Sequence, residues 1–372
     1  MGDDDRLIFS PDDVDLARSP LRASLDVPTY VLGAFNPGLT RLPGGNLLMM
    51  VRVAEALCEP VAGNNALTIR WSERGYVLDR HPMADIEMDD PRQFALAGRR
   101  PPLLGLTSLS WLLPVELSGD ARQVVRIHYD KAVAPSAPYM EYGLEDARIS
   151  LVGGCWWMTV CAVSSQRHCT LLYRSVNGLD YEPLGIILDH QNKDMVFFEG
   201  KPGGAFMALT RPLGECYFLP APDSPWAGGP AIQFATSPDG LHWKPSDAPG
   251  LRARKGSLSA LRVGGGTQPV LTPQGWLMLY HGVERRDSVG VYRTFWALLD
   301  REDPTHILRQ EDEVPLMEAD PGLTAGISEQ MYLPTPVVFT TGLADAGDHY
   351  VVVSGEADLA CRMTRIAKER FA

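Results

Sequence analysis

Short strand-like runs recur along the whole chain, and this recurrence restricts its fold more than any other feature. The runs have roughly five to eight residues and are rich in β-branched and aromatic side chains, as in 156–163 and 276–280. The 35 glycines and 30 prolines are spread between them and supply turns. A short helix is expected only at 359–371. The pattern predicts an all-β fold and argues against alternating strands and helices.

Two segments of similar sequence predict hairpin turns. Residues 174–181 and 236–243 share the pattern Ser-x-Asn/Asp-Gly-Leu-x-aromatic, and 71–76 has a looser form of it. Asn-Gly and Asp-Gly supply the positive φ angles of a tight turn, and the aromatic residue begins the return strand. Such repetition is typical of a β-propeller, whose blades are four-stranded sheets around a central channel. A pair of packed β-sheets stays open as the alternative.

The charge balance and the cysteines argue against several kinds of partner. Lys and Arg number 34 against 46 Asp and Glu, so the chain carries a net charge of −12 and repels a nucleic-acid backbone. No run approaches the roughly 20 apolar residues of a membrane helix, and we expect a cytoplasmic location without a secretion signal. Without CxxC spacing we expect reduced thiols and no metal site. The cysteines are Cys58, Cys155, Cys161, Cys169, Cys216 and Cys361.

A charged tetrapeptide, Glu145-Asp146-Ala147-Arg148, precedes the hydrophobic run 149–152. In an extended strand successive side chains alternate between faces, so Asp146 and Arg148 are expected to share one face. Such a pair suits a polar-ligand site at the mouth of a channel. It equally suits a solvated strand end with a local ion pair, and spacing alone favours that second interpretation.

Three cations flank two later hydrophobic runs. Lys193 and Lys201 lie on either side of 195–198, and Arg211 closes the run 206–210. Together they could hold an anion such as phosphate, or they could be separate surface charges. The glycines at 264–266 lack the spacing of a nucleotide-binding loop. His281, at the end of a strand, is by itself more typical of a structural histidine than of a catalyst.

Several short motifs, taken in order, are similar to those of one family. Residues 144–148 are similar to a Glu-Asp-Pro-Arg signature, with Ala147 in place of the proline. The stretch Gly-Trp-Leu to Tyr-His-Gly-Val at 275–283 is similar to a strand of the same family. In this order the motifs resemble glycoside hydrolase family 130, the β-mannoside phosphorylases and β-mannosidases. The resemblance covers roughly residues 30 to 360. Its remaining parts lie at 35–38, 48–55, 192–201, 297–300, 303–304, 337–339 and 357–358.

The resemblance implies a five-bladed β-propeller over residues 30–372, preceded by an N-terminal extension over 1–29. It implies an inverting single displacement on a small β-mannoside oligosaccharide, with Asp146 as the general acid and inorganic phosphate as co-substrate. No metal or organic cofactor is implied, and self-association stays open. By resemblance, sugar-binding positions fall on Asn36, Arg52, Glu145, Arg148, Asp194 and Asp358, and phosphate-binding positions on Lys193, Lys201, Arg211 and His281.

Three functions follow from these residues. Phosphorolysis to mannose 1-phosphate comes first, because phosphate is already a nucleophile and needs a cationic site but no protein base. Hydrolysis is the second candidate. It is favoured by the absence, from 213–217, of the histidine that many family phosphorylases carry after Arg-Pro. A hydrolase needs a second carboxylate about 6.5–9.5 Å from the acid, for which Glu199 and Glu215 are candidates. A sugar-binding propeller without catalysis is the third.

Overall fold

The chain folds almost entirely into antiparallel β-strands, which confirms the predicted fold class. The computed structural model describes residues 5–100, 103–214, 217–246 and 250–371. In these ranges the helices are short 3₁₀ turns, and none is long and apolar enough to cross a membrane. They span Pro11–Asp13, Leu16–Arg18, Pro20–Ala23, Met83–Asp85, Tyr129–Lys131, Pro138–Met140, Pro202–Gly204, Ala325–Gln330 and Lys368–Phe371.

The strands are numbered in chain order. They are β1 (Asp5–Phe9), β2 (Thr29–Arg41), β3 (Leu47–Leu57), β4 (Val61–Ala62), β5 (Asn65–Ser72), β6 (Gly75–Pro82), β7 (Ile86–Asp90), β8 (Gln93–Leu96), β9 (Leu104–Leu106), β10 (Ser108–Leu117), β11 (Val124–Ile127), β12 (Leu144–Val152), β13 (Cys155–Val163), β14 (His168–Ser175), β15 (Glu182–Leu188), β16 (Asn192–Phe197), β17 (Phe206–Pro212), β18 (Gln233–Ser237), β19 (Lys244–Pro245), β20 (Arg262–Gly265), β21 (Val270–Thr272), β22 (Gly275–Glu284), β23 (Val291–Leu299), β24 (Ile307–Glu311), β25 (Val338–Asp345), β26 (His349–Glu356) and β27 (Ala360–Ala367).

Within the described ranges, five sheets contain four or five strands each. Their orders are β11-β10-β3-β2, β12-β13-β14-β15, β16-β17-β18-β19, β20-β22-β23-β24 with β21 beside β22, and β1-β27-β26-β25. Two smaller sheets, β4-β5-β6 and β7-β8-β9, lie in the connection between β3 and β10. The larger sheets contact one another in a cycle: β2 touches β12, β12 touches β16, β16 touches β20, β22 touches β25, and β25 touches β2.

The first strand of the chain completes the last sheet. β1 pairs antiparallel with β27, with Asp5 opposite Thr364. The Asp5 carboxylate accepts hydrogen bonds from Arg362 Nε at 2.7 Å and from Thr364 Oγ1 at 3.0 Å. Phe9 and Leu21 belong to the same hydrophobic cluster as the strands of two large sheets. These contacts join residues 5–29 to the sheets, within the N-terminal extension that the resemblance places at 1–29.

A buried carboxylate on β3 holds the same segment in place. Glu55 is fully buried and accepts hydrogen bonds from Ser19 Oγ at 2.5 Å and from Arg22 Nη2 at 2.8 Å. Thr29 Oγ1 and Trp111 Nε1 also donate to this carboxylate. Buried charge is costly unless it is paired and hydrogen-bonded, so Glu55 requires the N-terminal segment as its partner.

The helix expected at 359–371 is wrong for most of its length. β27 occupies residues 360–367 and lies between β26 and β1, and only the last residues form a 3₁₀ turn. Cys361 and Met363, two residues apart, are both fully buried in the core. This period of two fits a strand, and pairing on both sides outweighs the local helix preference.

Removing the side chain of Phe9 tests whether β1 is an integral part of the fold. Phe9 is 1% exposed, so Phe9→Ala should lower the free energy of unfolding by about 3–5 kcal/mol. Phe218→Ala is the matched control, because Phe218 is 98% exposed and its loss should cost at most about 0.5 kcal/mol. Urea unfolding followed by tryptophan fluorescence measures both. Equal midpoints for the two variants would show that β1 does not hold the last sheet together.

Candidate active site

A cavity of about 370 Å³ is lined by side chains from all five large sheets. Its volume lies in the range typical of sites for small molecules. Charged groups of both signs and aromatic rings line it together, which suits a polar ligand. Its polar and aromatic lining residues include Asn36, Arg52, Asp90, Arg92, Glu145, Asp146, His168, Lys193, Asp194, Arg211, Arg262, Tyr292, Tyr332 and Asp358.

Three of the lining residues sit at β-bulges with left-handed backbone. The strand register shifts at 35–38 in β2, at 145–148 in β12 and at 193–196 in β16. At these places Asn36, Asp146 and Asp194 have φ values of 48°, 50° and 57°. Asn and Asp tolerate this region better than other residues with a Cβ, and a bulge redirects a side chain out of the regular alternation. Each bulge therefore directs a short polar side chain to the cavity.

Asp146 is held by one of its two carboxylate oxygens. Its Oδ1 accepts hydrogen bonds from Asn36 Nδ2 at 2.9 Å and from Arg52 Nη1 at 3.0 Å. Within the described part of the chain, no hydrogen bond reaches Oδ2. The carboxyl group is thus fixed in orientation while one oxygen stays available to a bound molecule.

Glu145, the neighbour of Asp146, is an ionised anchor. Its Oε1 accepts a hydrogen bond from Arg52 Nη2 at 3.0 Å and its Oε2 one from Lys193 Nζ at 2.8 Å. Burial alone would raise the pKa of Glu145, but the charges of Arg52 and Lys193 outweigh it and hold that pKa far below its ordinary value. Arg52 contacts both carboxylates, so Glu145 fixes the arginine that positions Asp146.

Asp194 forms a second buried ionic cluster beside the first. Its Oδ2 accepts a hydrogen bond from Arg211 Nε at 2.5 Å and lies 3.6 Å from His281 Nε2. Burial opposes its ionisation, but the charges of Arg211 and Arg148 lower the pKa of Asp194 to about 2. The Nη1 and Nη2 atoms of Arg211 make no hydrogen bond to the described residues and remain free for an anion.

Arg148 and His281 lie behind the cavity wall. Arg148 is 1% exposed and donates hydrogen bonds to the carbonyl oxygens of Gly266 and Asp146, at 2.7 and 2.9 Å. The bulge interrupts the alternation that was expected to put Asp146 and Arg148 on one face. His281 is fully buried, packed 4.6 Å from the Phe339 ring. Both residues were predicted to contact ligand. Neither belongs to the lining of this cavity, and they contact Asp146 and Asp194 instead.

Two other predicted residues lie outside the cavity. Lys193 lies near the start of β16, whereas Lys201 lies beyond the end of that strand. The Lys201 side chain is exposed, and its Nζ lies 4.0 Å from the centre of the Phe206 ring. Glu199 accepts a hydrogen bond from the backbone N–H of Leu151, which is about 16 Å along β12 from Asp146 at roughly 3.3 Å per residue. At that distance Glu199 cannot activate a water molecule for Asp146. Glu215, the other candidate base, lies outside the described residues.

Sequence reasoning missed several residues of the cavity wall. Asp90 and Arg92 come from the inserted sheet β7-β8-β9. Arg262 lies just before the glycines at 264–266, which lack the spacing of a nucleotide-binding loop. Arg262 Nη2 donates a hydrogen bond to Tyr292 Oη, and no other hydrogen bond from its guanidinium reaches a described residue. Their only sequence signal is a charged residue next to a turn or strand end, which many surface residues share.

Comparison with known proteins gives matches over most of the chain. A family model described as beta-1,4-mannooligosaccharide phosphorylase matches residues 115–371. The beta-1,2-mannobiose phosphorylase of Listeria innocua is 30% identical over 356 residues, covering 91% of this chain and 92% of that protein. The 1,2-beta-oligomannan phosphorylase of a Thermoanaerobacter species is 32% identical over 248 residues, covering 65% and 74%.

A solved structure extends this likeness to three dimensions. The Listeria innocua beta-1,2-mannobiose phosphorylase, in complex with beta-1,2-mannobiose, superposes with a TM-score of 0.80 at 25% identity. The match covers 98% of this chain and 97% of that one.

The buried neutral histidine predicts a pH dependence of stability. Burial is the main cause that lowers the pKa of His281 to about 3, against an ordinary value of about 6.5. The unfolded chain therefore binds more protons than the folded one between these values, and stability falls as the pH falls. Between pH 7 and 5.5 this residue should cost about 1 kcal/mol, measured by urea unfolding at both pH values. In His281→Gln the free energy of unfolding should fall by about 1 kcal/mol less than in the wild type between these pH values. The control His306→Gln, at an exposed site, should show the same fall as the wild type. Identical losses in both variants would contradict the assignment.

Proposed function

This chain belongs to glycoside hydrolase family 130, and we propose that it is an inverting phosphorylase of β-1,2-linked mannosides. Inorganic phosphate is its co-substrate, and mannose 1-phosphate and a shortened mannoside are its products. The 1,2 linkage is taken from the printed names of the relatives in Listeria innocua and Thermoanaerobacter. The observation that carries the proposal is the placement of Arg211 and Arg262 in one cavity with Asp146, each with guanidinium nitrogens that no described residue engages.

Asp146 serves as the general acid of this reaction. Asn36 and Arg52 occupy its Oδ1, so Oδ2 is the oxygen that supplies the proton toward the glycosidic oxygen. The bond from the anomeric carbon to the glycosidic oxygen breaks as a phosphate oxygen bonds to the opposite face of that carbon, which inverts its configuration. The leaving oxygen keeps the proton.

The cations of the cavity hold the phosphate. Arg211 and Arg262 offer planar groups that suit bidentate contact with phosphate oxygens, and Lys193 adds a third charge nearby. Of the wall carboxylates, Glu145 and Asp194 have lowered pKa values through their ion pairs, which makes them weak bases. A nucleophile that needs no deprotonation by the protein fits such a wall better than water does.

One observation favours hydrolysis as the second candidate. Asp358 lines the same cavity, and burial raises its pKa above the ordinary value in spite of Arg92 and Arg52. A carboxylate with a raised pKa can accept a proton from water more readily than the paired carboxylates can. It would act as the base of an inverting hydrolase, with the same Asp146 as acid.

We also propose that the five large sheets are the blades of a five-bladed β-propeller. The support is the cycle of contacts between neighbouring sheets, together with a cavity lined by all five sheets. Pairing of β1 with β27 in one sheet is a further feature that suits a ring of blades, because it joins the beginning of the ring to its end.

A phosphate-dependent assay tests the reaction and its acid. β-1,2-Mannobiose incubated with and without inorganic phosphate should yield mannose 1-phosphate only when phosphate is present. Asp146→Asn should lower turnover about 10²–10⁴-fold, because the variant cannot donate the proton. Asp348→Asn, at an exposed aspartate, is the control and should keep wild-type turnover. Free mannose formed equally fast without phosphate would refute phosphorolysis and establish hydrolysis.

A pair of cation variants tests the phosphate site. Arg262→Met should raise the KM for phosphate about tenfold or more, because one charge-assisted contact is lost, and should leave the KM for mannobiose nearly unchanged. Lys201→Met is the matched control, since Lys201 lies outside the cavity and its loss should change neither constant. Initial rates at varied phosphate concentration give both values. The cavity would not be the phosphate site if Lys201→Met raised the KM and Arg262→Met did not.

A further inference from the structure

The inserted sheet β7-β8-β9 forms part of the active cavity wall. Asp90, the last residue of β7, and Arg92, in the turn between β7 and β8, both line the cavity. Two hydrogen bonds fix the backbone at this place. Thr107 N donates to Arg92 O at 3.1 Å, and Ser288 Oγ donates to Asp89 O, in β7, at 2.8 Å. The insertion is therefore fixed against the sheets at the point where it meets the site.

The Arg92 guanidinium bridges the insertion and the last large sheet. Its Nε and Nη2 donate hydrogen bonds to the Asp90 carboxylate at 2.9 and 2.7 Å. Its Nη1 donates to Asp358 Oδ2 at 3.3 Å. Asp358 lies in the turn between β26 and β27, is 7% exposed and has a left-handed backbone with φ of 51°. Arg92 thus reaches Asp358 from a part of the chain that no family motif covers.

The charge of Asp358 depends on the groups that face it. Arg92 from the insertion and Arg52 from β3 favour its ionised form, while burial and the charge of Asp146 from β12 oppose it, and the balance leaves its pKa raised. Tyr332 Oη donates a hydrogen bond to the backbone oxygen of Asp358, not to the carboxylate. In the described part of the chain, no hydrogen bond reaches Asp358 Oδ1. That oxygen is available to a hydroxyl donor.

We propose that Arg92 is a positioning residue that keeps Asp358 ionised and oriented to accept hydrogen bonds from hydroxyl groups of the mannosyl unit. This inference rests on the proposed function, since it takes a mannoside as the ligand. A carboxylate accepts hydrogen bonds with both oxygens, whereas a protonated carboxyl loses part of that capacity. Losing Arg92 should therefore weaken sugar binding most at acidic pH, where Asp358 takes up a proton.

The test compares three variants by their pH profiles of kcat/KM for β-1,2-mannobiose. Arg92→Met should raise KM about tenfold, a loss of about 1.4 kcal/mol, with kcat changed much less. It should also shift the midpoint of the acidic limb to a higher pH by about one unit, because Asp358 loses the positive charge that favours its ionised form. Arg92→Lys should return the limb toward the wild-type position but restore KM only in part, since lysine cannot contact Asp90 through two nitrogens. Arg99→Met, at an exposed arginine of the same insertion, should match the wild type.

The outcomes separate this inference from the proposed function. An acidic limb that stays in place in Arg92→Met, or that moves equally in Arg99→Met, would overturn the role of Arg92. Activity that does not need phosphate would refute phosphorolysis but not the role of Arg92. The acidic limb of kcat/KM for hydrolysis can then be compared between the wild type and Arg92→Met. If the wild type turns over no mannoside, calorimetric titration with mannobiose at two pH values decides instead. A loss of affinity in Arg92→Met that grows at the lower pH supports the inference, and a failure of the wild type to bind overturns both proposals.

Discussion

The active cavity depends on a few residues whose backbone adopts a left-handed conformation. Asn36, Asp146 and Asp194 occupy it at bulges, and Asp358 occupies it in a turn. Such backbone costs of order 1–3 kcal/mol for an ordinary residue and persists where surrounding contacts fix it. Here the contacts are hydrogen bonds to charged groups, and close packing adds to them: a Cβ at Gly355 would overlap the Asn36 side chain. The hydrogen bonds and the packing thus stabilise the left-handed backbone at these residues. The directions of their side chains are therefore fixed before a ligand binds.

Charge in the cavity is balanced although the chain as a whole is acidic. Most lining carboxylates are paired with a lining cation, and two guanidinium groups keep free nitrogens. Paired charges in a partly desolvated wall offer donors and acceptors to a neutral sugar, while the free nitrogens suit an anion. One cavity can therefore receive two chemically different molecules side by side. Its lining carboxylates are Asp90, Glu145, Asp146, Asp194 and Asp358, and its lining cations are Arg52, Arg92, Lys193, Arg211 and Arg262.

Much of the fold and part of the site could be predicted from the sequence, because strand periodicity and turn chemistry are local. The Asn-Gly and Asp-Gly pairs do stand in turns, with Gly178 and Gly240 at φ of 80° and 82°. What failed was non-local. Nothing in the sequence around Arg92 indicates that it reaches Asp358, since 266 residues separate them. Lys201 was grouped with Lys193 by proximity along the chain, yet a strand between them carries the two to opposite ends.

The pairing of β1 with β27 has a consequence for how the molecule acquires its structure. Asp5 and Thr364, which share a hydrogen bond, are 359 residues apart, so their meeting has a high entropic cost and is among the most non-local steps of folding. Asp358 lies two residues before β27, so its place in the cavity depends on where that strand lies. A partly folded intermediate can thus contain every other sheet and still lack one wall of the site. Completion of the site then depends on one of the most non-local contacts of the chain.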